Sequence, residues 1–231
     1  MNRQVTARLL VAPLAPLVSL LLALGLLGAV DLSPASAADT TTPPPATAYS
    51  DGTPRDARIT IPSIGIKRLK VIAYEGKTDD WPGTKIQNRG IAASPYGSEG
   101  GIGPGGIGNY QVTAHRISHG GVFRKVPTLH KNNVVFVDVG HTRYIYRIIK
   151  ERWVDFRSAA SLRAQRAEVP GHPGVTATRG YITISTCATP EDHARGNYWT
   201  DKFGNPQHRI DEIGVLVGRV QVPARYFKKK G

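Results

Sequence analysis

Apolar and polar residues alternate in several short stretches of this chain, and each such stretch predicts a β-strand. The clearest stretch runs from Tyr181 to Cys187, where Ile182 and Ile184 alternate with small hydroxyl residues. β-Branched residues dominate it, which favours a half-buried strand. The same pattern predicts strands at 58–62, 64–66, 69–72, 110–114, 133–139, 143–149 and 213–218, and it fits either a strand or a loop at 90–95.

Helical patterns are scarce. Only residues 159–167 are rich in good helix formers, and we predict one helix there. Residues 79–83 are predicted to form a turn, and residues 98–109 and 189–207 to form loops, because glycine, proline and polar residues dominate them. Many short strands with little helix predict a mainly β fold, in the form of a closed or nearly closed barrel.

The first thirty residues have a different pattern. Arg3 and Arg8 precede an apolar stretch at 9–30, which is long enough for a transmembrane helix that leaves residues 1–8 in the cytoplasm. The small residues at 35–37 also fit a cleavage site, so a cleaved signal peptide is the alternative. The length of the apolar stretch favours an anchor or uncleaved signal.

The rest of the chain divides by composition. Residues 31–56 are rich in threonine and proline and predict an extended linker. Residues 57–223 carry the strand patterns and form the predicted globular domain, and residues 224–231 form a basic tail. The 231 residues carry a net charge of +13 without a basic stripe or a known nucleic-acid motif, so no nucleic-acid partner is predicted. Such a charge suits anionic lipids and cell-wall polymers.

The single cysteine, Cys187, excludes an internal disulfide and raises a choice between structure and catalysis. It ends the clearest predicted strand, whereas a lone cysteine is also often a small buried apolar residue. Cysteine catalysis needs a proton carrier and a group that faces an oxyanion. His115 follows one predicted strand and Arg209 precedes the last, so these two residues are the candidates.

Three segments resemble the sortases, which are cysteine transpeptidases of Gram-positive cell surfaces. Residues 183–187 resemble the Thr-Leu-x-Thr-Cys motif of that family, with Ile184 in place of leucine. Residues 114–116 and 121–123 look like the histidine segment of actinobacterial class E sortases, although Ala114 stands where glycine is common. Residues 58–66 are similar to the opening strand of sortase domains.

The resemblance implies an eight-stranded sortase barrel at 57–223, behind an N-terminal transmembrane helix and outside the cell. It also implies that Cys187 cleaves an LPxTG-like or LAxTG-like sorting signal between Thr and Gly. A thioester would form, and an amine of a cell-wall precursor would resolve it. Thr186 would contact the substrate or help to hold the oxyanion. The expected partners are surface proteins with sorting signals, and no cofactor or metal is required.

Several alternatives stay open. Arg195 lies closer to Cys187 in the sequence than Arg209, so it is the alternative arginine, although a strand mount favours Arg209. Residues 118–122 resemble a segment of L,D-transpeptidases, but Gly121 stands where their cysteine must be. A β-rich cell-wall binding or scaffold module with a structural thiol is the non-enzymatic alternative. Nearby histidines and the Glu191–Asp192 pair are weak signals for zinc or calcium.

Overall fold

The computed structural model describes residues 48–227, and these residues form a closed barrel of eight strands. The predicted mainly β barrel is therefore confirmed. The strands are β1 (Ala57–Ile61), β2 (Ile66–Glu75), β3 (Ala92–Tyr96), β4 (Gly108–Thr113), β5 (Val134–Val139), β6 (Thr142–Asp155), β7 (Gly180–Cys187) and β8 (His208–Gln221). Around the barrel they follow the order β1-β2-β3-β4-β7-β8-β6-β5.

Short helices lie in the connections between strands. The α-helices are α1 (Trp81–Gln87), α2 (Ala159–Arg166) and α3 (Thr189–Ala194), and turns of 3-10 helix span Pro62–Ile64, Val126–Thr128 and Ala224–Phe227. Helix α2 confirms the helix predicted from composition. Its N-cap residue Ser158 accepts a hydrogen bond from the Ser161 amide, which satisfies an otherwise unpaired donor.

The structure corrects three local predictions. The two short strands predicted at 64–66 and 69–72 are one strand, β2, which follows a 3-10 turn that ends at Gly65 with a left-handed φ of 76°. The turn predicted at 79–83 leads directly into α1, because the Asp80 side chain caps the helix and Pro82 fits its first turn. The loop predicted at 189–207 begins with α3.

The core fills the barrel interior with alternate residues of each strand. Ile182 and Ile184 of β7 and Val112 of β4 are fully buried there. Glu212 of β8 pairs directly with Ile184, so its carboxyl group shares the face of these apolar side chains. It is 1% exposed, and one of its carboxylate oxygens has no hydrogen-bond partner within residues 48–227.

Two strand pairings determine where functional side chains can meet. Strand β7 lies between β4, to which it is parallel, and β8, to which it is antiparallel. Since a strand alternates its side chains, the residues at 109, 111 and 113 of β4 share one face, away from the core residues Tyr110 and Val112. The barrel therefore presents the ends of β4 and β7 side by side.

The predicted transmembrane helix at 9–30 lies outside the described residues. In the part of the chain that the structure covers, none of the helices has both the length and the apolar character needed to cross a membrane. The last part of the predicted linker contacts the β3–β4 connection, since the amides of Tyr49 and Ser50 both donate to Gly105 O at 3.0 Å.

The buried carboxyl group of Glu212 predicts a pH-dependent stability. Burial, together with the nearby Glu151 and Asp211 carboxylates, raises the pKa of Glu212 from its ordinary 4.5 to about 8. Between these values the folded chain holds a proton that the unfolded chain has lost, so the free energy of unfolding falls as pH rises. We expect Glu212→Gln to remove this fall. As pH rises, the free energy of unfolding of the variant then increases relative to that of the wild-type chain by at most about 1.4 kcal/mol per pH unit, and by less where water screens the carboxylate.

Urea unfolding of both proteins at several pH values between 4.5 and 8 measures this difference. Glu75→Gln is the matched control, because it makes the same chemical change at an exposed position of β2. Equal slopes for the wild-type chain and Glu212→Gln would contradict the prediction.

Candidate active site

The strand registers bring Cys187, His115 and Arg209 together at one end of β7. Thr113 pairs with Ser185, so His115, two residues further along, lies level with Cys187 on one side. On the other side Arg209 pairs directly with Cys187. The structure therefore brings together three residues that lie on separate segments of the sequence.

Cys187 opens onto a groove of about 310 Å³. Cys187 as a residue is partly exposed, whereas burial of its thiol raises the pKa of that thiol above the ordinary 9.0. The positive charge of Arg209 acts in the opposite direction and lowers this pKa, as does a hydrogen bond from the backbone of Arg116, whereas Asp79 raises it. The resting thiol is therefore protonated near neutral pH.

His115 lies in the same groove and is held by two side chains. Its Nε2 is 2.7 Å from Oδ1 of Asn88, next to the C-terminal end of α1, and its ring stacks on His119 with 5.0 Å between centroids. Burial, followed by the repulsion of His119, lowers the pKa of His115 below the ordinary 6.5. A neutral imidazole beside a protonated thiol can exchange a proton with it or with a bound substrate.

Arg209 is completely buried, and its guanidinium group is held from one side only. Its Nε donates to Oδ2 of Asp79 at 2.6 Å, and its Cζ lies 5.1 Å from the centre of the Phe156 ring. Within residues 48–227, Nη1 and Nη2 have no hydrogen-bond partner. Burial disfavours its charge, but Asp79 and Cys187 more than compensate and raise the pKa of Arg209. Two charged N–H₂ groups are thus buried without a hydrogen-bond partner among the described residues, behind the groove that Cys187 lines.

The alternative arginine occupies a different environment. Arg195 follows α3, is exposed to solvent, and lies over the ring of Trp153 with 4.6 Å from its Cζ to the ring centre. The geometry favours Arg209 as the partner of Cys187, because its register position is fixed by β8.

Thr186 is buried, and its hydroxyl group donates to the carbonyl oxygen of Ala114 at 2.9 Å. This bond joins the residue before Cys187 to the residue before His115, so it fixes the two candidate side chains relative to each other. A contact between Thr186 and substrate stays a prediction.

Helix α3 was missed by the sequence analysis, and it connects both sides of the site. Glu191 binds Arg116 with 2.8 Å between Oε1 and Nη2, and the buried Asp192 binds Nδ1 of His208 at 2.6 Å. Both carboxylates are therefore bound to neighbouring side chains of the protein. The signal for this helix was Pro190 followed by two acidic residues, a pattern typical of a first helical turn.

Aromatic residues also line the groove. Trp81 at the start of α1 stacks on Phe203 at 6.1 Å, and both rings are about half exposed. Asn205 and Pro206 are further lining residues of the groove. Tyr198 instead packs on His193, away from the groove lining.

Two residues of the site were missed by sequence reasoning, Asp79 and Asn88. The pair Asp79–Asp80 before Trp81-Pro82 is a helix-start signal, which would have placed α1. No sequence signal connects Asp79 with Arg209, because 130 residues separate them. Within the described chain no group of three or more His, Cys, Asp or Glu side chains is arranged to hold a metal ion.

Comparison with known proteins agrees with this geometry. The sequence model of the Sortase domain matches residues 59–200. The chain belongs to the sortase family. It is therefore a cysteine transpeptidase, and its substrate classes are a sorting signal and an amine acceptor. The L,D-transpeptidase and binding-module alternatives are set aside by this assignment.

Solved sortase structures share the fold at low sequence identity. SrtA from Actinomyces oris is 20% identical with a TM-score of 0.54, over 82% of this chain and 92% of that one. Sortase E from Streptomyces avermitilis is 21% identical with a TM-score of 0.52, over 79% and 98%. Sortase E1 from Streptomyces coelicolor, solved with a tripeptide in its active site, is 20% identical with a TM-score of 0.51, over 78% and 96%. No curated protein matches this chain in sequence.

The neighbours of the thiol predict how fast Cys187 reacts with iodoacetamide as pH changes. Only the thiolate reacts, so we expect the rate to rise mainly above pH 9.0, because burial raises the pKa of Cys187. Arg209→Met removes the cation that lowers this pKa and leaves the carboxylate of Asp79, so the midpoint moves to higher pH.

Arg195→Met is the matched control, since Arg195 lies over Trp153 on the surface. Mass spectrometry of the alkylated protein over a series of pH values gives the midpoint for each variant. A midpoint that moves in Arg195→Met and stays in Arg209→Met would make Arg195 the partner of the thiol.

Proposed function

We propose that this sortase cleaves an LPxTG-like or LAxTG-like signal between Thr and Gly and joins the protein to an amine of the cell wall. The observation that supports it most is the position of Cys187, level with His115 on β4 and paired with Arg209 on β8. In this proposal Cys187 is the nucleophile, His115 carries protons, and Arg209 faces the developing oxyanion.

In the first half of the reaction, Sγ of Cys187 attacks the carbonyl carbon of the signal's threonine. The thiol proton passes to His115 as the C–S bond forms, and the carbonyl oxygen becomes negatively charged. The unpaired Nη1 and Nη2 of Arg209 are donors for that charge, and one such donor typically lowers a barrier by about 3 kcal/mol. His115 then gives its proton to the leaving glycine amine, and a thioester remains.

In the second half, the acceptor amine attacks the thioester carbonyl. His115 removes a proton from this amine, and the C–S bond breaks as the new amide forms. The sulfur of Cys187 leaves as a thiolate, which recovers a proton from His115. No cofactor enters either half of this scheme.

The class and the location are part of the proposal. Residues 114–116 with the buried Phe123 support a class E assignment, since Phe123 donates its amide to His115 O at 3.1 Å and so forms one unit with the histidine. The apolar stretch at 9–30 supports a single-pass cell-membrane protein with its catalytic domain outside the cell, and with surface proteins as substrates. The LPxTG and LAxTG signals remain alternatives for the experiment below.

Intact mass spectrometry tests the nucleophile and the signal together. After brief mixing of the purified chain with LPxTG or LAxTG peptides, we expect an acyl adduct whose mass is the peptide without the residues after threonine. Cys187→Ala removes the adduct, whereas Arg195→Ala keeps it. Wild-type protein that forms no adduct with either peptide would reject the proposed signals, and an adduct that persists in Cys187→Ala would reject the nucleophile.

The pKa values of His115 and Cys187 are shifted apart, which predicts a broad pH profile for acylation. Burial lowers the pKa of His115 below 6.5 and raises that of Cys187 above 9.0. We therefore expect kcat/KM for acylation to follow a bell with a plateau between these limits, since such a profile reports the apparent pKa values of the pair. Stopped assays with the accepted peptide across pH 5 to 11 measure it, and a narrow optimum near pH 7 would contradict the separation.

A further inference from the structure

The ion pair between Arg209 and Asp79 is completely buried next to the thiol. Arg209 is 0% exposed and the Asp79 side chain is 5% exposed. We infer that Asp79 is a positioning residue, which holds Arg209 through its Nε so that both terminal nitrogens remain free for the substrate's oxyanion. This inference rests on the proposed function, in which Arg209 faces that oxyanion.

The way in which the guanidinium group is held supports this role. A carboxylate that serves only to neutralise an arginine commonly binds two of its nitrogens side by side. Asp79 instead accepts a hydrogen bond from Nε at 2.6 Å, and Nη1 and Nη2 have no partners in the described chain. Leaving buried donors unpaired costs stability, so this arrangement suits a site that supplies their acceptor when substrate binds.

The backbone around Asp79 is built to present this carboxylate. Asp79 has a left-handed φ of 63°, which costs energy for a residue other than glycine. The next residue, Asp80, fixes the turn, because its carboxylate accepts from the amides of Lys77 at 2.9 Å and Gly83 at 2.8 Å. Thr113 lies 3.5 Å from the other oxygen of Asp79, so the end of β4 also contacts this carboxylate.

Asp79 also acts on the thiol by charge. Its carboxylate raises the pKa of Cys187, in opposition to Arg209. Replacing Asp79 with asparagine keeps a side-chain oxygen that can accept from Nε, but it removes the negative charge. Of the remaining negative charges that act on Arg209, that of the Cys187 thiolate is then the strongest. The variant should therefore have a more reactive thiol and a poorer enzyme, which is a combination that simple loss of stability does not produce.

The test compares Asp79→Asn with Asp138→Asn in the full chain. Asp138 is an equally buried carboxylate, bound to Arg143 by hydrogen bonds of 2.7 and 2.9 Å. Arg143 pairs with Val220, near the opposite end of β8 from Arg209, so the control removes a buried ion pair away from the thiol. Each protein is measured for acylation kcat and KM with the accepted peptide, for the alkylation midpoint of Cys187, and for its thermal midpoint.

For Asp79→Asn we expect kcat for acylation to fall about 10- to 100-fold with little change in KM, because a neutral amide holds the guanidinium group less firmly than a carboxylate and the transition-state donors are then less well placed. The alkylation midpoint moves to lower pH. Asp138→Asn loses thermal stability and keeps both kcat and the alkylation midpoint. If Asp79→Asn does not fold, Asp79→Glu replaces it, because its longer side chain keeps the charge and displaces the guanidinium group, so kcat falls while the alkylation midpoint stays.

Three outcomes overturn the inference: an alkylation profile of Asp79→Asn that matches the wild type, a fall in kcat that Asp138→Asn shows equally, or wild-type kcat in Asp79→Glu. Failure of the proposed function is a different result. In that case Arg209→Met is still acylated, or no peptide acylates the wild-type chain. The alkylation midpoints need no sorting signal, so they still decide whether Asp79 acts on the thiol.

Discussion

Burial of the Arg209 guanidinium group is the constraint on which the rest of the site depends. A charge without contact to water is costly unless it is paired and hydrogen-bonded. Asp79 supplies the opposite charge, and Phe156 supplies an aromatic face. These partners come from the β2–α1 connection and from the end of β6, so both segments must be in place before Arg209 can occupy its position beside Cys187.

The barrel supplies the rigidity that this arrangement needs. Strand β7 is hydrogen-bonded on both sides, to β4 and to β8, so Cys187 cannot move relative to either neighbour without breaking a strand pairing. Thr186 adds a side-chain bond to Ala114, and α3 joins Arg116 to the start of β8 through Glu191 and Asp192. The loop that carries His115 and the start of β8, which carries Arg209, are thus fixed relative to Cys187.

Burial of the site also keeps the Cys187 thiol unreactive when no substrate is bound. Burial raises the pKa of the Cys187 thiol and lowers that of the His115 imidazole, so both groups are neutral near pH 7. A protonated thiol is a weak nucleophile towards oxidants and unrelated electrophiles. Arg209 retains two unpaired donors, which become useful when a carbonyl oxygen gains negative charge next to them. The groove therefore favours reaction with a substrate that places its carbonyl group there.

The sequence by itself determined most of the strands, the barrel and the three candidate residues, because alternation of apolar residues and the motif around Cys187 are local properties. It did not reveal α3, whose first turn lacks a side-chain cap, or the continuity of β2 across residues 66–75. Only the tertiary structure decided between Arg195 and Arg209 as neighbours of Cys187, and only it identified Asp79 and Asn88. Those contacts join residues that are distant in sequence, and strand register and burial, rather than any local pattern, bring them together.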